Sequence, residues 1–196
     1  MRIAEIKNHL SKFRIGIAGA GGLGSNCAVA LARSGVGTLV IADFDMVEEI
    51  NLNRQYYFSD QVGMMKTDAI KYNIKHVNPG ILVITHQIKL DRINLSEVFS
   101  GCNIIIEAFD NAAMKEMLIE TVQTNMPGIP LIVGSGMAGW GNTNDLKCRK
   151  IDETLYVCGD ESSEVSDNLP PLAPRVGIVA NMEANVAIEI LMNISD

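Results

Sequence analysis

The chain has 196 residues, 47% of them hydrophobic, and a formal net charge of −7, enough length for one sizeable core and, by the usual domain-size prior, a single domain over residues 1–196. A sequence pI near 5.0 with no concentrated basic face excludes a general nucleic-acid binder, because phosphate backbones demand clustered cations. No run approaches the roughly 18 uninterrupted apolar residues of a membrane span, and Glu5, Lys7, His9 and Lys12 are scattered through the N-terminal stretch, which therefore reads as neither a span nor a signal peptide and leaves the cytoplasm as the default.

Ile3, Ile6 and Leu10 stand at helical spacing, so a short amphipathic helix over 1–10 precedes the first strand. The next stretch, FRIGIAGAGGLGSNCAVALARS, runs from an apolar strand over 13–18 through Gly19, Gly21, Gly22 and Gly24 into an Ala-rich helix over 25–34. Glycines 19, 21 and 24 fit G-x-G-x-x-G: the first permits a tight turn, the second lets backbone approach a phosphate, and the third lets helix and strand pack closely. Free N–H groups at the helix start then attract the phosphate charge. Glycine turns also join strands to helices with no ligand, so the pattern alone does not establish binding.

Residues 38–42 read as a second buried strand ending at Asp43. An acidic residue there, roughly twenty positions beyond the last glycine, is placed for ribose hydroxyls. The loop that follows carries Asn51, Arg54 and Gln55, and Lys66 opens a helix over 66–77. Arginine offers a planar charged fork for phosphate oxygens. With two phosphates already served by the glycine turn, two further cations suggest a triphosphate. Strands over 81–86, 104–107 and 131–133 alternate with a helical turn at 95–99 and a helix over 111–125. That alternation implies an α/β fold: a doubly wound, mostly parallel sheet with a Rossmann-like nucleotide-binding half. Asp110, at the end of the fourth strand, could hold magnesium or simply cap the helix after it. Residues 134–144 are glycine-rich, 146–151 and 155–157 could pair as short strands, 159–171 is polar and expected to be mobile, and 175–192 reads as a closing helix.

Cys27, Cys102, Cys148 and Cys158 include no C-x-x-C pair, so neither a disulfide nor structural zinc is expected. Neither Cys148 nor Cys158 has a neighbourhood that signals a lowered pKa, since Asp160 and Glu161 disfavour a thiolate.

The segments GAGGLGSN, DFDMVEEINLNRQ, VGMMK, EAFDN and SGMAGWG, in that order, resemble the ThiF/MoeB/HesA family, bacterial relatives of ubiquitin-activating enzymes, and most of all its short ThiF branch. The resemblance spans almost the whole chain. It implies an ATP- and magnesium-dependent adenylyltransferase in which the C-terminal glycine carboxylate of a ThiS-like sulfur carrier attacks the α-phosphate, in thiamine thiazole synthesis, and it implies a homodimer. On the same terms Asp43 would bind ribose, Asn51, Arg54 and Lys66 the phosphates, and Asp110 magnesium. The chain departs from longer members in lacking two C-x-x-C zinc pairs, and only Arg2 precedes Arg14, which puts in doubt an arginine lent to a partner subunit. MoaD-like carriers, or a small carboxylate or amide on tRNA, are alternative substrates. An NAD-dependent oxidoreductase lacks a candidate acid/base residue, and an intact Arg54, Lys66 and Asp110 argue against a non-catalytic scaffold.

Overall fold

The computed structural model describes residues 2–194. Its elements are helix α1 (Ile3–Leu10), strand β1 (Arg14–Ala18), α2 (Gly22–Ser34), β2 (Thr38–Asp43), α3 (Lys66–Val77), β3 (Leu82–Gln87), α4 (Leu95–Val98), β4 (Ile104–Glu107), α5 (Ala112–Asn125), β5 (Leu131–Gly134), β6 (Lys147–Lys150), β7 (Leu155–Gly159) and α6 (Ala173–Met192). The strands form one seven-stranded sheet in the order β3-β2-β1-β4-β5-β7-β6. Every pairing is parallel except the hairpin of β6 with β7.

Both faces of the sheet are covered, which explains why its central strands read as unbroken apolar runs. Ile15, Ile17, Leu39, Ile41, Ile104 and Ile106 point into one core, shared with α2, α3 and α6. Val40, Ala42 and Ile105 point the other way, into the layer of α4 and α5. On that second face Gly16 of β1 is fitted to Phe99, whose ring would lie 2.6 Å from any added Cβ. α1 buries Leu10 and is pinned to the far end of the chain where His9 Nε2 meets the Leu191 carbonyl at 3.0 Å.

The chain reverses direction across the sheet between β1 and β4, the seam from which β2 and β3 lie to one side and β5 and β7 to the other. Ligands of doubly wound folds bind in the crevice outside the strand ends at such a point. One helix differs from its sequence reading at its start. α2 begins at Gly22 rather than after the glycine turn, because glycines with nothing to cap them can enter a helical first turn. At the start of the 159–171 stretch Asp160 accepts from the N–H groups of Ser162 and Ser163, the Ser163 hydroxyl accepts from Ala138 N, and the Asp160 carboxylate pairs with the buried Arg175 guanidinium. Among the described residues no helix is long and apolar enough to cross a membrane.

Candidate functional site

Gly19 leaves β1 with φ +102°, and a Cβ there would sit 2.7 Å from the Ala108 carbonyl at the end of β4. Only glycine suits that left-handed backbone and that approach. A Cβ on Gly24 would fall 1.9 Å from the Gly19 carbonyl oxygen, so the third glycine of the motif is what lets α2 close onto the turn. Gly21 is different: its Cβ position is open except for Gln55 Nε2 at 3.7 Å. Gly21 is also the N-cap of α2 and offers no side-chain cap. The first-turn N–H groups are thus left for an anion, with the positive end of the helix dipole behind them.

The residues after β2 build one wall of this opening. Asp43 Oδ2 accepts from Ala20 N at 2.6 Å and Oδ1 from Asp45 N at 2.8 Å, which locks the glycine turn to the end of β2. Burial pushes the Asp43 carboxyl up from its usual range, against the pull of these two N–H groups and of Lys66. Asn51 is buried and accepts from Glu48 N at 3.1 Å, shaping the loop. Gln55 is buried beside Gly21, and its Oε1 has no hydrogen-bond partner. The Arg54 stem lies over Gly22, with Cγ 3.7 Å from that residue's Cβ position. Its guanidinium donates to Asn53 Oδ1 at 2.8 Å and to the Ile50 carbonyl at 3.3 Å, contacts at the surface that an incoming phosphate can replace.

Lys66 is only 6% exposed and its Nζ is held 2.8 Å from Asp45 Oδ2. The two cations are therefore unequal, one paired and buried, one at the rim. Asp110 stands exposed just beyond β4. It is not the cap of α5: Asn111 is, its Oδ1 accepting from Met114 N at 3.1 Å.

Several supporting groups escaped the sequence reading. Tyr57 Oη donates to the Ala20 carbonyl at 2.7 Å and reaches the Lys66 carbonyl at 3.4 Å. Burial, with the Asp43 and Asp45 carboxylates, pushes its phenol well above the usual range, so it remains a donor. Ser25 Oγ accepts from Tyr56 N at 2.9 Å, and Asn26 Nδ2 donates to the Arg54 carbonyl at 2.9 Å; α2 thereby positions the arginine loop. Behind β4, Glu107 is fully buried, accepts from Phe109 N at 2.6 Å and pairs with Lys115, whose Nζ also donates to the Gly134 carbonyl at 2.8 Å. Ser25, Asn26 and Glu107 lie inside the quoted motifs; Tyr57 and Lys115 lie outside them and carried no local signal.

Tyr57→Phe should leave the Ala20 carbonyl without its donor and lower stability by about 1–3 kcal/mol. Thermal melting checks this, and an unchanged Tm would show that the phenol does not brace the turn.

A family model described as "ThiF family" matches residues 3–196. The chain is 32% identical to an adenylyltransferase and sulfurtransferase MOCS3 of Caenorhabditis briggsae over 196 residues, 96% of this chain and 48% of that protein. It is 34% identical to a SAMP-activating enzyme E1 of Haloferax volcanii over 132 residues, 67% of this chain and 48% of the relative. The chain thus spans about half the length of these curated relatives. Among solved structures, Escherichia coli tRNA N6-threonylcarbamoyladenosine dehydratase TcdA in complex with ATP superposes with TM-score 0.86 at 21% identity, over 96% of this chain and 89% of that one. E. coli MccB with MccA superposes with TM-score 0.74 at 26% identity, over 98% and 60%. The TcdA likeness shows the fold, including the mostly parallel sheet.

Proposed function

This chain belongs to the ThiF family, and from that premise we propose that it is an adenylyltransferase acting on the C-terminal glycine carboxylate of a small ubiquitin-like sulfur carrier. The carrier to test first is ThiS-like, which would place the reaction in thiamine thiazole synthesis; a MoaD-like carrier is the alternative within the same chemistry. Relatives named as adenylyltransferases and as a SAMP-activating enzyme support carrier activation. The observation that carries the reading is the uncapped start of α2 at Gly21, open to an anion and flanked by Arg54. The net charge of −7 disfavours the version in which the substrate rides on tRNA.

The carrier's carboxylate is already a nucleophile, so no general base is required. An oxygen of that carboxylate forms a bond to the α-phosphorus of ATP while the bond to the departing pyrophosphate breaks, giving a carrier acyl-adenylate. Charge is the obstacle, because an anionic tail must approach a polyanion. Aligned N–H groups of α2 and the Arg54 guanidinium would offset it, one such group contributing about 2.7–4 kcal/mol in the transition state, and orientation supplies much of the rest. Lys66, held by Asp45, would serve as a fixed positive charge in the wall.

Magnesium commonly keeps several waters and is bound by one or two carboxylates together with substrate phosphates. One exposed carboxylate, Asp110, at the mouth of the crevice fits that mode; among the described residues no group of three or more His, Cys, Asp or Glu could hold a metal by itself. When bound, the ion would neutralise charge on the phosphates. A homodimer, with both sites in one assembly, belongs to the same reading and is checked by sedimentation.

ATP-dependent exchange of labelled pyrophosphate, with and without carriers ending in Gly-Gly, tests the activity. Exchange that requires one carrier identifies it; none with any such carrier rejects the proposal. Calorimetry should show ATP binding in the presence of magnesium and no comparable NAD binding. The reverse result would restore the oxidoreductase reading.

A further inference from the structure

The hairpin of β6 and β7 sets Cys148 directly opposite Cys158 in the antiparallel register, with their Sγ atoms 3.2 Å apart. Both are free thiols. Ile151 N donates to the Leu155 carbonyl at 2.8 Å, so 151 and 155 form a hydrogen-bonded pair. Alternation along the ladder then makes 148 and 158 a non-hydrogen-bonded pair, whose Cα atoms approach to about 4.5 Å, within the span a disulfide bridges. To join, the two sulfurs must close from 3.2 Å to about 2.05 Å, a shift that side-chain rotation can supply.

Access is lopsided. Cys158 is buried and Cys148 exposed. Cys148 forms one side of an open groove of about 670 Å³ against α6, where Ala173 and Gly177 keep the facing helix low. Its strand reads KCRK, which puts Lys150, two residues on, on the same face as Cys148, while Lys147 and Arg149 point to the other face and Arg149 pairs with Glu161. The Lys150 cation draws anionic reagents toward the accessible sulfur.

We propose that Cys148 and Cys158 form a thiol–disulfide exchange site whose substrate is a small anionic disulfide of the oxidised-glutathione class. The Cys148 thiolate attacks one sulfur of the small disulfide; that S–S bond breaks, one small thiolate leaves, and a mixed disulfide forms on Cys148. The Cys158 thiol then gives its proton to solvent and attacks Cys148 Sγ, expelling the second small thiolate. Two protein thiols are oxidised and one small disulfide is reduced to two thiols. Burial, reinforced by the adjoining Cys148, pushes the Cys158 thiol up, which suits it to resolve rather than to initiate. Neither residue has a part in the adenylation chemistry proposed above, so the site stands whatever becomes of that reading.

The full chain is incubated with oxidised glutathione, and its thiols are mapped by intact mass and peptide mass spectrometry. In the unaltered protein we expect loss of both the Cys148 and Cys158 thiols, a link between their peptides, and reversal by reduced glutathione. Cys148→Ser should yield neither link nor adduct at Cys158. Cys158→Ser should accumulate one glutathionyl group on Cys148, and Cys158→Ala gives the same readout should serine at that buried position unfold the protein, which melting reports. Two results overturn the proposal: both thiols staying free, or a stable glutathionyl adduct on Cys148 of the unaltered protein that Cys158 never displaces.

Discussion

Asp110→Asn is expected to slow carrier-dependent ATP–pyrophosphate exchange by about a hundredfold or more, the scale on which single electrostatic groups act in transition states, while leaving thermal melting unchanged. The two halves of this expectation come from different observations. Asp110 is exposed and Asn111 supplies the cap of α5, so an isosteric amide at 110 removes nothing the helix depends on. Its position beyond β4, across the seam from Gly19, is where a carboxylate can share a magnesium ion with the phosphates. A folded variant with nearly normal exchange at saturating magnesium would remove Asp110 from the site. A variant whose exchange recovers only at much higher magnesium would locate the defect in metal affinity.

Lys115→Met should cost about 3–5 kcal/mol of stability at neutral pH, the usual consequence of stranding one member of a buried ion pair. Glu107 has no exposure, and burial already pushes its carboxyl up, against the opposing pull of Lys115 and of the Phe109 N–H. A second buried carboxylate, Glu183, has both oxygens without hydrogen-bond partners and is itself pushed well up by burial and by Glu107. Removing the lysine takes away the cation that holds Glu107 down and raises its carboxyl further. The sign follows from linkage. The unfolded carboxyl ionises near its ordinary value of 4.5, whereas the folded one keeps its proton to higher pH, so between those two values the folded state binds more protons and stability falls as pH rises. The deficit of the variant should therefore be largest at pH 7–8 and shrink toward pH 5, by up to about 1.4 kcal/mol for each pH unit in that window. Adding Glu107→Gln should recover much of the loss at neutral pH. Denaturant melts at two pH values check both statements, and a deficit that does not vary with pH would show that Lys115 acts through packing alone.

Much of the architecture was legible in the amino-acid order because it depends on local signals. Buried strands of a covered parallel sheet are short apolar runs, and three parallel ones, β1, β2 and β4, put Gly19, Asp43 and, three residues past the strand, Asp110 at the same edge of the sheet. What escaped depends on contacts distant in sequence. Nothing around Lys115 announces that it will cross to Glu107 and Gly134, and nothing around Tyr57 that its hydroxyl will brace Ala20. The cysteines show the same limit: motif spacing asks for two intervening residues, whereas a hairpin pairs positions 148 and 158 across its turn. The place of Lys66 at the head of a helix is legible in the sequence, but its partnership with Asp45 shows only once the end of β2 and the start of α3 lie side by side. In the 159–171 stretch composition shows polarity but not partners: that Asp160 would accept from Ser162 and Ser163 N–H groups and pair with Arg175 depends on a residue fifteen positions away.

The position of β6 has a consequence for solubility in crowded surroundings. As the outermost strand of the sheet it presents an unsatisfied row of backbone donors and acceptors, the kind of surface onto which another chain can add a strand and begin an aggregate. All four of its residues are exposed, and three of them, Lys147, Arg149 and Lys150, are cationic. Arg149 is paired with Glu161, but a second copy approaching edge to edge would still set Lys147 and Lys150 against like charges, which disfavours adding a further strand at this border.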